Sequence, residues 1–355
     1  MLATKKSFLE MNGGMIVETI IYRPSEVLKA ALKLQQGELI SFPTETVYGL
    51  GADATNEAAV KKVYSAKGRP SDNPLIVHVS AIEEVEQYVV EVSEVASKLM
   101  ETFWPGPLTL IFKVKEQAFA PTATAGLDSV AMRMPDNALT IQLIRETGKP
   151  LVGPSANTSG KPSPTTAEHV FHDLKGKIAG VLDDGETGVG LESTVLDVTD
   201  PARPTILRPG ATTKEALEKI IGTVYVDRHL ISSDEVPKAP GMKYKHYSPN
   251  EAVVIVDGKH EVWQKAIETY QKQGEKVGLL AEQAIVDHFQ KNVSATYSLG
   301  EDKNVKDAAR LLYSGLRYFE KTTATVILAQ AYAENGLGEA YMNRLKKAAG
   351  NHFFE

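Results

Sequence analysis

The sequence contains no cysteine, and this absence excludes disulfide frameworks, thiolate zinc sites and cysteine nucleophiles together. It also lacks any run that approaches the about 18 to 20 apolar residues of a membrane-spanning helix. We therefore expect a protein of the reducing cytoplasm without membrane contact. Cations are not in excess either, since the net charge is −6. A broad basic surface for nucleic acid is not expected, although a few cations inside a cleft can still bind a small anion.

Two familiar nucleotide motifs are missing or weak. No G-x-x-x-x-G-K-[ST] phosphate loop occurs, so ATP binding cannot be argued from it. Residues 49–54 fit G-x-G-x-x-A, but a polar segment separates them from the preceding strand. We interpret them as a glycine turn rather than a dinucleotide site. His169 and His172 lie one helical turn apart without a further ligand in sequence reach, which favours an ordinary surface helix over a metal site.

The length of 355 residues predicts two domains, because one domain usually holds about 100 to 200 residues. Short β-branched runs alternate with amphipathic stretches in residues 15–231, a pattern typical of an α/β domain. Residues 232–250 are rich in proline and lack apolar periodicity, which predicts a linker. A second alternation in residues 251–355 predicts a smaller α/β domain. Residues 1–14 are expected to be an extension outside the fold.

The apolar patterns also predict individual elements. Strands are predicted at residues 16–22, 38–42, 75–79, 108–114, 129–134, 150–153, 178–182, 194–198, 205–207, 252–256, 276–280 and 324–329. Helices are predicted at residues 25–36, 260–273, 305–319 and 340–349.

Five polar motifs follow or flank the predicted strands of the first domain, where open α/β sheets bind their ligands. Each has a plain alternative, such as a strand-to-loop turn, or a helix end whose cations complement the helix dipole. The density of proline, glycine and polar side chains favours binding loops. The motifs are PTETVYG at residues 43–49, KGRPSDNP at 67–74, SVAMRMP at 129–135, GPSANTSGK at 153–161, and GLEST at 190–194 with LRPG at 207–210.

In this order the motifs resemble those of the L-threonylcarbamoyl-AMP synthases that have a YrdC-like domain. The resemblance spans about residues 16–222. The segment APGMKYKHYSP at residues 239–249 is similar to the linker of the long, two-domain form of these enzymes. This resemblance implies an α/β fold, namely a YrdC-like domain with a twisted mixed sheet, followed by a smaller Rossmann-like domain.

The resemblance also implies the activity. A nucleotidyltransferase of this family makes L-threonylcarbamoyl-AMP and pyrophosphate from L-threonine, bicarbonate and ATP, for threonylcarbamoyladenosine at position 37 of tRNAs that read ANN codons. Mg²⁺ is expected to accompany ATP, no organic cofactor is implied, and no metal ligand is predicted. The product would pass to a tRNA threonylcarbamoyl transferase complex, with at most weak contact to RNA.

Site residues follow from the same resemblance and from the side chains present. Arginine binds phosphate bidentately and lysine acts as a point charge, which suits an adenylation whose catalysis depends on positioned cations. No general base stands out, so exclusion of water gains importance. Lys67 and Arg69 are predicted to be catalytic. ATP contacts are predicted for Lys67, Arg69, Ser71, Ser129, Ser155, Asn157, Ser163, Arg208 and Tyr247. Threonine contacts are predicted for Thr44, His78, Arg133 and Ser193, and a linker lid for Tyr244 and Tyr247.

Two alternatives stay open at this point. The concave domain could be an RNA-binding module, since the linker holds three lysines, although the acidic balance counts against it. Carbamoyl transfer in metallocentre maturation also uses YrdC-like domains, but those proteins carry acylphosphatase-like or cysteine-rich modules that this sequence lacks. Threonine-dependent release of pyrophosphate without RNA separates the synthase from the RNA-binding module.

Overall fold

A computed structural model describes residues 17–227, 237 and 247–355 of the chain. Over these residues the strands form an eleven-stranded sheet and a four-stranded sheet. The strands are β1 Ile20–Tyr22, β2 Ile40–Phe42, β3 Gly49–Asp53, β4 Ile76–His78, β5 Leu108–Lys113, β6 Ser129–Arg133, β7 Leu151–Val152, β8 Gly180–Leu182, β9 Thr194–Asp197, β10 Thr205–Arg208, β11 Tyr225–Val226, β12 Ala252–Val256, β13 Val277–Ala281, β14 Ala295–Ser298 and β15 Val326–Gln330. The α-helices are α1 Val27–Gln35, α2 Glu57–Lys67, α3 Val85–Tyr88, α4 Glu94–Phe103, α5 Pro121–Thr124, α6 Ala138–Thr147, α7 Ala167–Leu174, α8 Lys214–Ile221, α9 His260–Lys272, α10 Gln283–Phe289, α11 Val305–Phe319 and α12 Leu337–Ala349.

The larger sheet is mixed, with the strand order β1-β8-β2-β3-β7-β4-β6-β5-β9-β10-β11. Parallel pairs such as β4 with β6 and β5 with β9 alternate with antiparallel pairs such as β5 with β6 and β9 with β10. The smaller sheet has the order β12-β15-β13-β14, and all its strands are parallel. The predicted α/β fold, with a large mixed sheet and a smaller second domain, is therefore confirmed.

Helices cover both faces of the smaller sheet. Val254 and Val256 of β12 pack in one apolar cluster with Trp263 of α9, whereas the alternate residues Val253 and Ile255 pack in another cluster with α11 and α12. Successive strand side chains point to opposite faces, so a strand that is buried on both sides reads as a continuous apolar run. This explains why β12 matches its predicted bounds.

One sequence interpretation is wrong. Residues 49–53, interpreted as a glycine turn, form strand β3, which pairs antiparallel with β2. The glycines make room for a side chain of the neighbouring strand, because a Cβ on Gly51 would lie 3.0 Å from the Phe42 ring and 2.8 Å from the Ile40 carbonyl oxygen. Glycine weakens a strand pattern in general but is typical where another group approaches closely.

The two domains share an apolar core. Val47 and Leu191 of the first domain are buried in the same cluster as Tyr247 and the helices α11 and α12 of the second. The contact is close at Gly190, where an added Cβ would lie 2.3 Å from the backbone oxygen of Arg310 in α11. Only glycine permits this approach. Within the described ranges, no helix is both long and apolar enough to span a bilayer.

Candidate active site

A cleft in the first domain collects most of the predicted site residues. It holds about 660 Å³ of space between atoms, part of it open to solvent. Four cationic side chains and one carboxylate, that of Glu192, belong to its described lining, which favours an anionic ligand. The predicted residues in the lining are Lys67, Arg69, His78, Arg133, Ser155, Asn157, Ser193, Arg208 and Tyr247.

The strand pairing explains why residues from distant motifs meet. His78 and Arg133 end the parallel strands β4 and β6 and lie opposite each other in register. The antiparallel partner of β6 is β5, whose first residue Leu108 pairs with Thr194 at the start of β9. Arg208 ends β10 and pairs with Val195 of β9. The ends of four strands thus bring these side chains to one edge of the sheet.

Arg133 is buried, and two of its three guanidinium nitrogens donate hydrogen bonds to described residues, whereas its Nη2 has only an ion-pair contact. Its Nε donates to the Gly106 carbonyl oxygen at 3.1 Å, and its Nη1 donates to Thr46 Oγ1 at 2.9 Å. Its Nη2 lies 2.5 Å from Glu45 Oε1. The PTETVYG loop is thereby anchored to the end of β6. A substrate carboxylate at Arg133 would have to share the guanidinium with Glu45.

Lys67 is the last residue of α2, and Gly68 ends the helix in the left-handed conformation. Its ammonium is buried and donates to the carbonyl oxygens of Ser155 and Asn157, with the second contact at 2.7 Å. Burial and the nearby Arg69 hold the pKa of Lys67 well below its ordinary value. Lys67 therefore holds the GPSANTSGK loop, residues 153–161, from the buried side.

Arg69 extends from the same loop and donates to the carbonyl oxygens of Asn73 and Pro74, both at 3.3 Å. It is only partly buried, in contrast to Lys67. Ser155 and Asn157 complete this side of the cleft, with Ser155 Oγ donating to Asn157 Oδ1 at 2.6 Å. A planar guanidinium at the open part of a cleft is suited to phosphate oxygens.

His78 lies at the floor of the cleft against the edge of the Phe42 ring. Burial, together with the positive charge of Arg133, lowers the pKa of His78 to about 3. The imidazole is therefore neutral at physiological pH. Its buried Nδ1 has no hydrogen-bond partner among the described residues, so it is available to a ligand.

Ser193 and Arg208 form a second polar pair. Arg208 Nε donates to the Ser193 carbonyl oxygen, and Arg208 Nη2 donates to Ser193 Oγ, both at 3.1 Å. Thr109 Oγ1 lies 2.8 Å from the same hydroxyl. The side chain of Arg208 is therefore held flat against the start of β9, where it faces the cleft.

Glu192 is a charged residue of the cleft lining that was not among the predicted site residues. It lines the cleft next to Ser193, and its carboxylate receives hydrogen bonds from Ser163, Tyr313 and Arg344. Burial alone would raise the pKa of Glu192, but the charges of Arg344 and Arg208 and the Ser163 hydroxyl outweigh it and lower the pKa to about 2. The GLEST motif contained the residue, but nothing local in the sequence indicated its partners.

Four predicted residues lie outside the lining. Thr44 supports it from behind, since its hydroxyl lies 2.8 Å from Thr46 Oγ1. Ser163 lies behind the lining and donates a hydrogen bond to the carboxylate of Glu192. Ser71 is exposed on the loop after α2. Ser129 lies at the opposite end of β6 from Arg133, at about 13 Å along a strand that rises about 3.3 Å per residue. Their predicted ligand contacts stay predictions.

The predicted linker falls largely outside the described residues, and Tyr244 lies there. Tyr247 is described and buried, and it lines the cleft with its backbone in the left-handed region, at φ 65°. Its ring packs against Tyr313 at 5.3 Å between centroids. The next residue, Ser248, donates its N–H to the Gly160 carbonyl oxygen at 2.9 Å. The end of the linker therefore joins the GPSANTSGK loop to the second domain.

Among the described residues, no group of three or more histidine, aspartate or glutamate side chains could hold a metal ion. The histidines of α7 show why. His169 lies within 3.4 Å of Thr165 Oγ1, and His172 contacts Asp173 at 3.1 Å. Asp173 is itself bound to Arg317.

Comparison with known proteins places the chain in a family. A family model described as "Telomere recombination", that of the Sua5, YciO and YrdC proteins, matches residues 33–210. A second, described as "Threonylcarbamoyl-AMP synthase, C-terminal domain", matches residues 212–350. The threonylcarbamoyl-AMP synthase of Bacillus subtilis (strain 168) is 47% identical over 351 residues, which cover 98% of this chain and 99% of that protein. The threonylcarbamoyl-AMP synthase of Pyrococcus abyssi (strain GE5 / Orsay) is 44% identical over 326 residues, covering 90% and 93%.

The fold agrees with a solved structure over both domains. The crystal structure of P. abyssi Sua5 complexed with L-threonine has a TM-score of 0.88 and 42% sequence identity, and the match covers 95% of this chain and 98% of that one. The fold is that of a two-domain α/β protein, and the named relatives identify it as an enzyme of the nucleotidyltransferase type. The chain belongs to the family of threonylcarbamoyl-AMP synthases, in the form that has both a YrdC-like and a Sua5-type C-terminal domain.

Proposed function

We propose that this enzyme makes L-threonylcarbamoyl-AMP and pyrophosphate from L-threonine, bicarbonate and ATP. The observation that carries the proposal is the convergence of Lys67, Arg69, Arg133 and Arg208 on one cleft, in a chain that belongs to this family. Two anionic groups have to meet in such a reaction, a carbamate and a triphosphate. Positioned cations lower the cost of bringing them together and stabilise the charge that develops in the transition state.

The reaction has two steps. The amine of threonine takes up the carbon of bicarbonate with loss of water and gives a carbamate. A carbamate oxygen then attacks the α-phosphorus of ATP, and the bond to the bridging oxygen of pyrophosphate breaks. We assign the phosphates to Arg69 and Arg208, whose side chains both line the cleft. Lys67 holds the GPSANTSGK loop through its contact with the Asn157 carbonyl oxygen.

Threonine is assigned to the His78 and Arg133 side. Neutral His78 offers an Nδ1 without a protein partner, which can take part in one hydrogen bond with the hydroxyl or the amino group. Ser193 adds a hydroxyl. Thr44 fixes the loop that carries Thr46. The P. abyssi protein was crystallised with L-threonine, which supports threonine as a substrate of this chain.

Mg²⁺ is proposed to enter with ATP rather than at a site of its own. The one carboxylate in the described lining, that of Glu192, is engaged with Arg344, Tyr313 and Ser163. The metal would reduce the charge of the triphosphate, leaving the protein cations to orient it.

The role in the cell is part of the same proposal. The adenylate would serve threonylcarbamoyladenosine at position 37 of tRNAs that read ANN codons, in the cytoplasm, and would pass to a tRNA threonylcarbamoyl transferase complex. The enzyme itself would need little contact with RNA. The match to the synthase C-terminal domain over residues 212–350 gives no support to the RNA-binding or metallocentre alternatives.

Mass analysis of the products tests the activity. The chain is incubated with Mg·ATP, bicarbonate and each amino acid in turn, without RNA. We expect threonylcarbamoyl-AMP and stoichiometric pyrophosphate with threonine alone, and neither product when bicarbonate is removed. Equal turnover with serine or valine would refute the assignment of threonine. The absence of any adenylate with every amino acid would refute the proposed reaction.

A further inference from the structure

One side chain of the second domain reaches the active cleft of the first. Arg344 lies in α12 and is fully buried. Its Nε donates to Glu192 Oε2 at 2.9 Å, its Nη2 to the Glu192 carbonyl oxygen at 3.4 Å, and its Nη1 to the Pro209 carbonyl oxygen at 2.8 Å. Glu192 precedes Ser193, and Pro209 follows Arg208. Arg344 thus holds the two chain segments that carry this polar pair.

A second group from the same domain joins the contact. Tyr313 of α11 donates its hydroxyl to Glu192 Oε2 at 2.9 Å. The Arg344 guanidinium carbon lies 5.9 Å from the centre of the Tyr247 ring, which also lines the cleft. Of the three described side chains that bind the Glu192 carboxylate, two therefore come from the second domain.

The charge of Glu192 explains why an arginine beside it matters for the cleft. A buried carboxylate without a partner is costly, and it recruits any cation within reach. Arg208 is a cation of the cleft wall whose charge acts on Glu192, and it is bound to Ser193 by two hydrogen bonds. Because Arg344 neutralises Glu192 from behind, Arg208 can keep its orientation.

We propose that Arg344 is a positioning residue of the adenylation site, through which the second domain neutralises Glu192 and keeps Ser193 and Arg208 oriented toward threonine and ATP. This role rests on the proposed function, and it assigns to the second domain a part in catalysis. The first domain alone would then have an incomplete site, even if it folded.

Arg344→Met tests the role while filling a similar volume. We expect the value of kcat/KM to fall roughly tenfold to a hundredfold, with weaker binding of threonine, ATP or both. The control is Arg317→Met. Arg317 is also buried, and it also crosses between the domains, binding Asp173 at 2.9 Å and the Pro162 carbonyl oxygen. Neither of those partners belongs to the described lining of the cleft.

Both variants are expected to lower the unfolding temperature, but only Arg344→Met should lower ligand affinity. Measurements are made where circular dichroism shows each variant folded. Equal losses of kcat/KM in Arg344→Met and Arg317→Met would mean that any damage to the domain interface lowers activity. That result would overturn the specific role of Arg344.

The double variant Arg344→Met/Glu192→Gln tests whether the effect of Arg344 depends on the negative charge of Glu192. When the buried carboxylate becomes an amide, no uncompensated charge remains, so part of the loss in kcat/KM should be recovered. Losses that multiply, within about twofold, would show that the two residues act independently and would overturn the proposal.

The proposed function and the positioning role can fail separately. If the wild-type chain makes no adenylate, the function is refuted, and the role of Arg344 is then decided by equilibrium titrations of threonine and of ATP, which need no turnover. Unchanged affinity for both ligands in Arg344→Met overturns the role, and weaker affinity for either ligand with normal binding in Arg317→Met supports it.

Discussion

The neutral state of His78 has a measurable consequence for stability. Its pKa is about 3 in the folded protein, against an ordinary value of 6.5. An unfolded chain takes up a proton at His78 below pH 6.5, whereas the folded chain does not. The contribution of His78 to the free energy of unfolding is therefore complete above pH 6.5 and is lost as the pH falls toward 3.

The size of this loss follows from the same two values. At pH 5.5 the unfolded state is stabilised by about 1.4 kcal/mol relative to pH 8, and the loss reaches at most about 5 kcal/mol near pH 3. Since His78 is fully buried, no large reduction for solvent screening applies. His169 adds a loss of the same sign with a smaller maximum, because burial and the nearby Arg317 lower its pKa only to about 4.

The assay is urea unfolding of the wild type and of His78→Gln at pH 8.0 and pH 5.5. Glutamine keeps a polar side chain but does not titrate, so the variant should lose about 1.4 kcal/mol less between the two pH values than the wild type. The matched control is His352→Gln at an exposed position, which should leave the difference between pH values in place. An acid loss of the same size in the wild type and in His78→Gln would refute the buried neutral imidazole.

Three further outcomes are expected. Arg133→Ala should weaken threonine binding more than ATP binding in separate titrations, and a larger loss for ATP would move Arg133 to the phosphate side. Lys67→Ala and Arg69→Ala should each reduce activity roughly tenfold to a hundredfold in a folded protein, because each removes a charge-assisted contact. Near-normal turnover in both variants would mean that residues 67–74 are an ordinary helix end and loop. If the linker is a lid, protease cleavage between Lys238 and Lys245, which lie outside the described residues, should slow when threonine and ATP are added, and equal cleavage rates would reduce the segment to a tether.

Elements with strong periodicity could be predicted from the sequence. The helix predicted at residues 305–319 has those bounds in the structure, since its apolar stripe packs on the sheet and its first turn is capped by Asn304. Strand β3 could not be predicted, because its glycines lower strand propensity, and they are explained by the close approach of strand β2, above all of the Phe42 ring. That ring lies on the neighbouring strand, and pairing is not visible in a local pattern.

The site residues, like the secondary structure, could be predicted only where neighbouring residues in the sequence indicate them. The five polar motifs contain seven of the nine predicted residues of the cleft lining, and the other two, His78 and Tyr247, lie in a predicted strand and in the linker. Ser129 shows the weakness of the argument. Two-residue alternation gives the face of the strand that Ser129 shares with Arg133, but it gives no limit on the distance along the strand. The sequence therefore indicates which face of β6 carries Ser129 and Arg133, but it does not indicate at which end of the strand the cleft lies.

Glu192 and Arg344 lie 152 residues apart in the chain, and no pattern within either segment indicates the other. Arg344 sits in a helix whose last turn also carries Lys346 and Lys347, so its sequence context suggests a solvated basic end that complements the helix dipole. The structure instead buries the guanidinium completely against a carboxylate of the other domain. A buried arginine is expensive unless it is paired and hydrogen-bonded, and here its partner lines the cleft. The proposed role of the second domain therefore depends on the ion pair between Arg344 and Glu192, which only the three-dimensional structure shows.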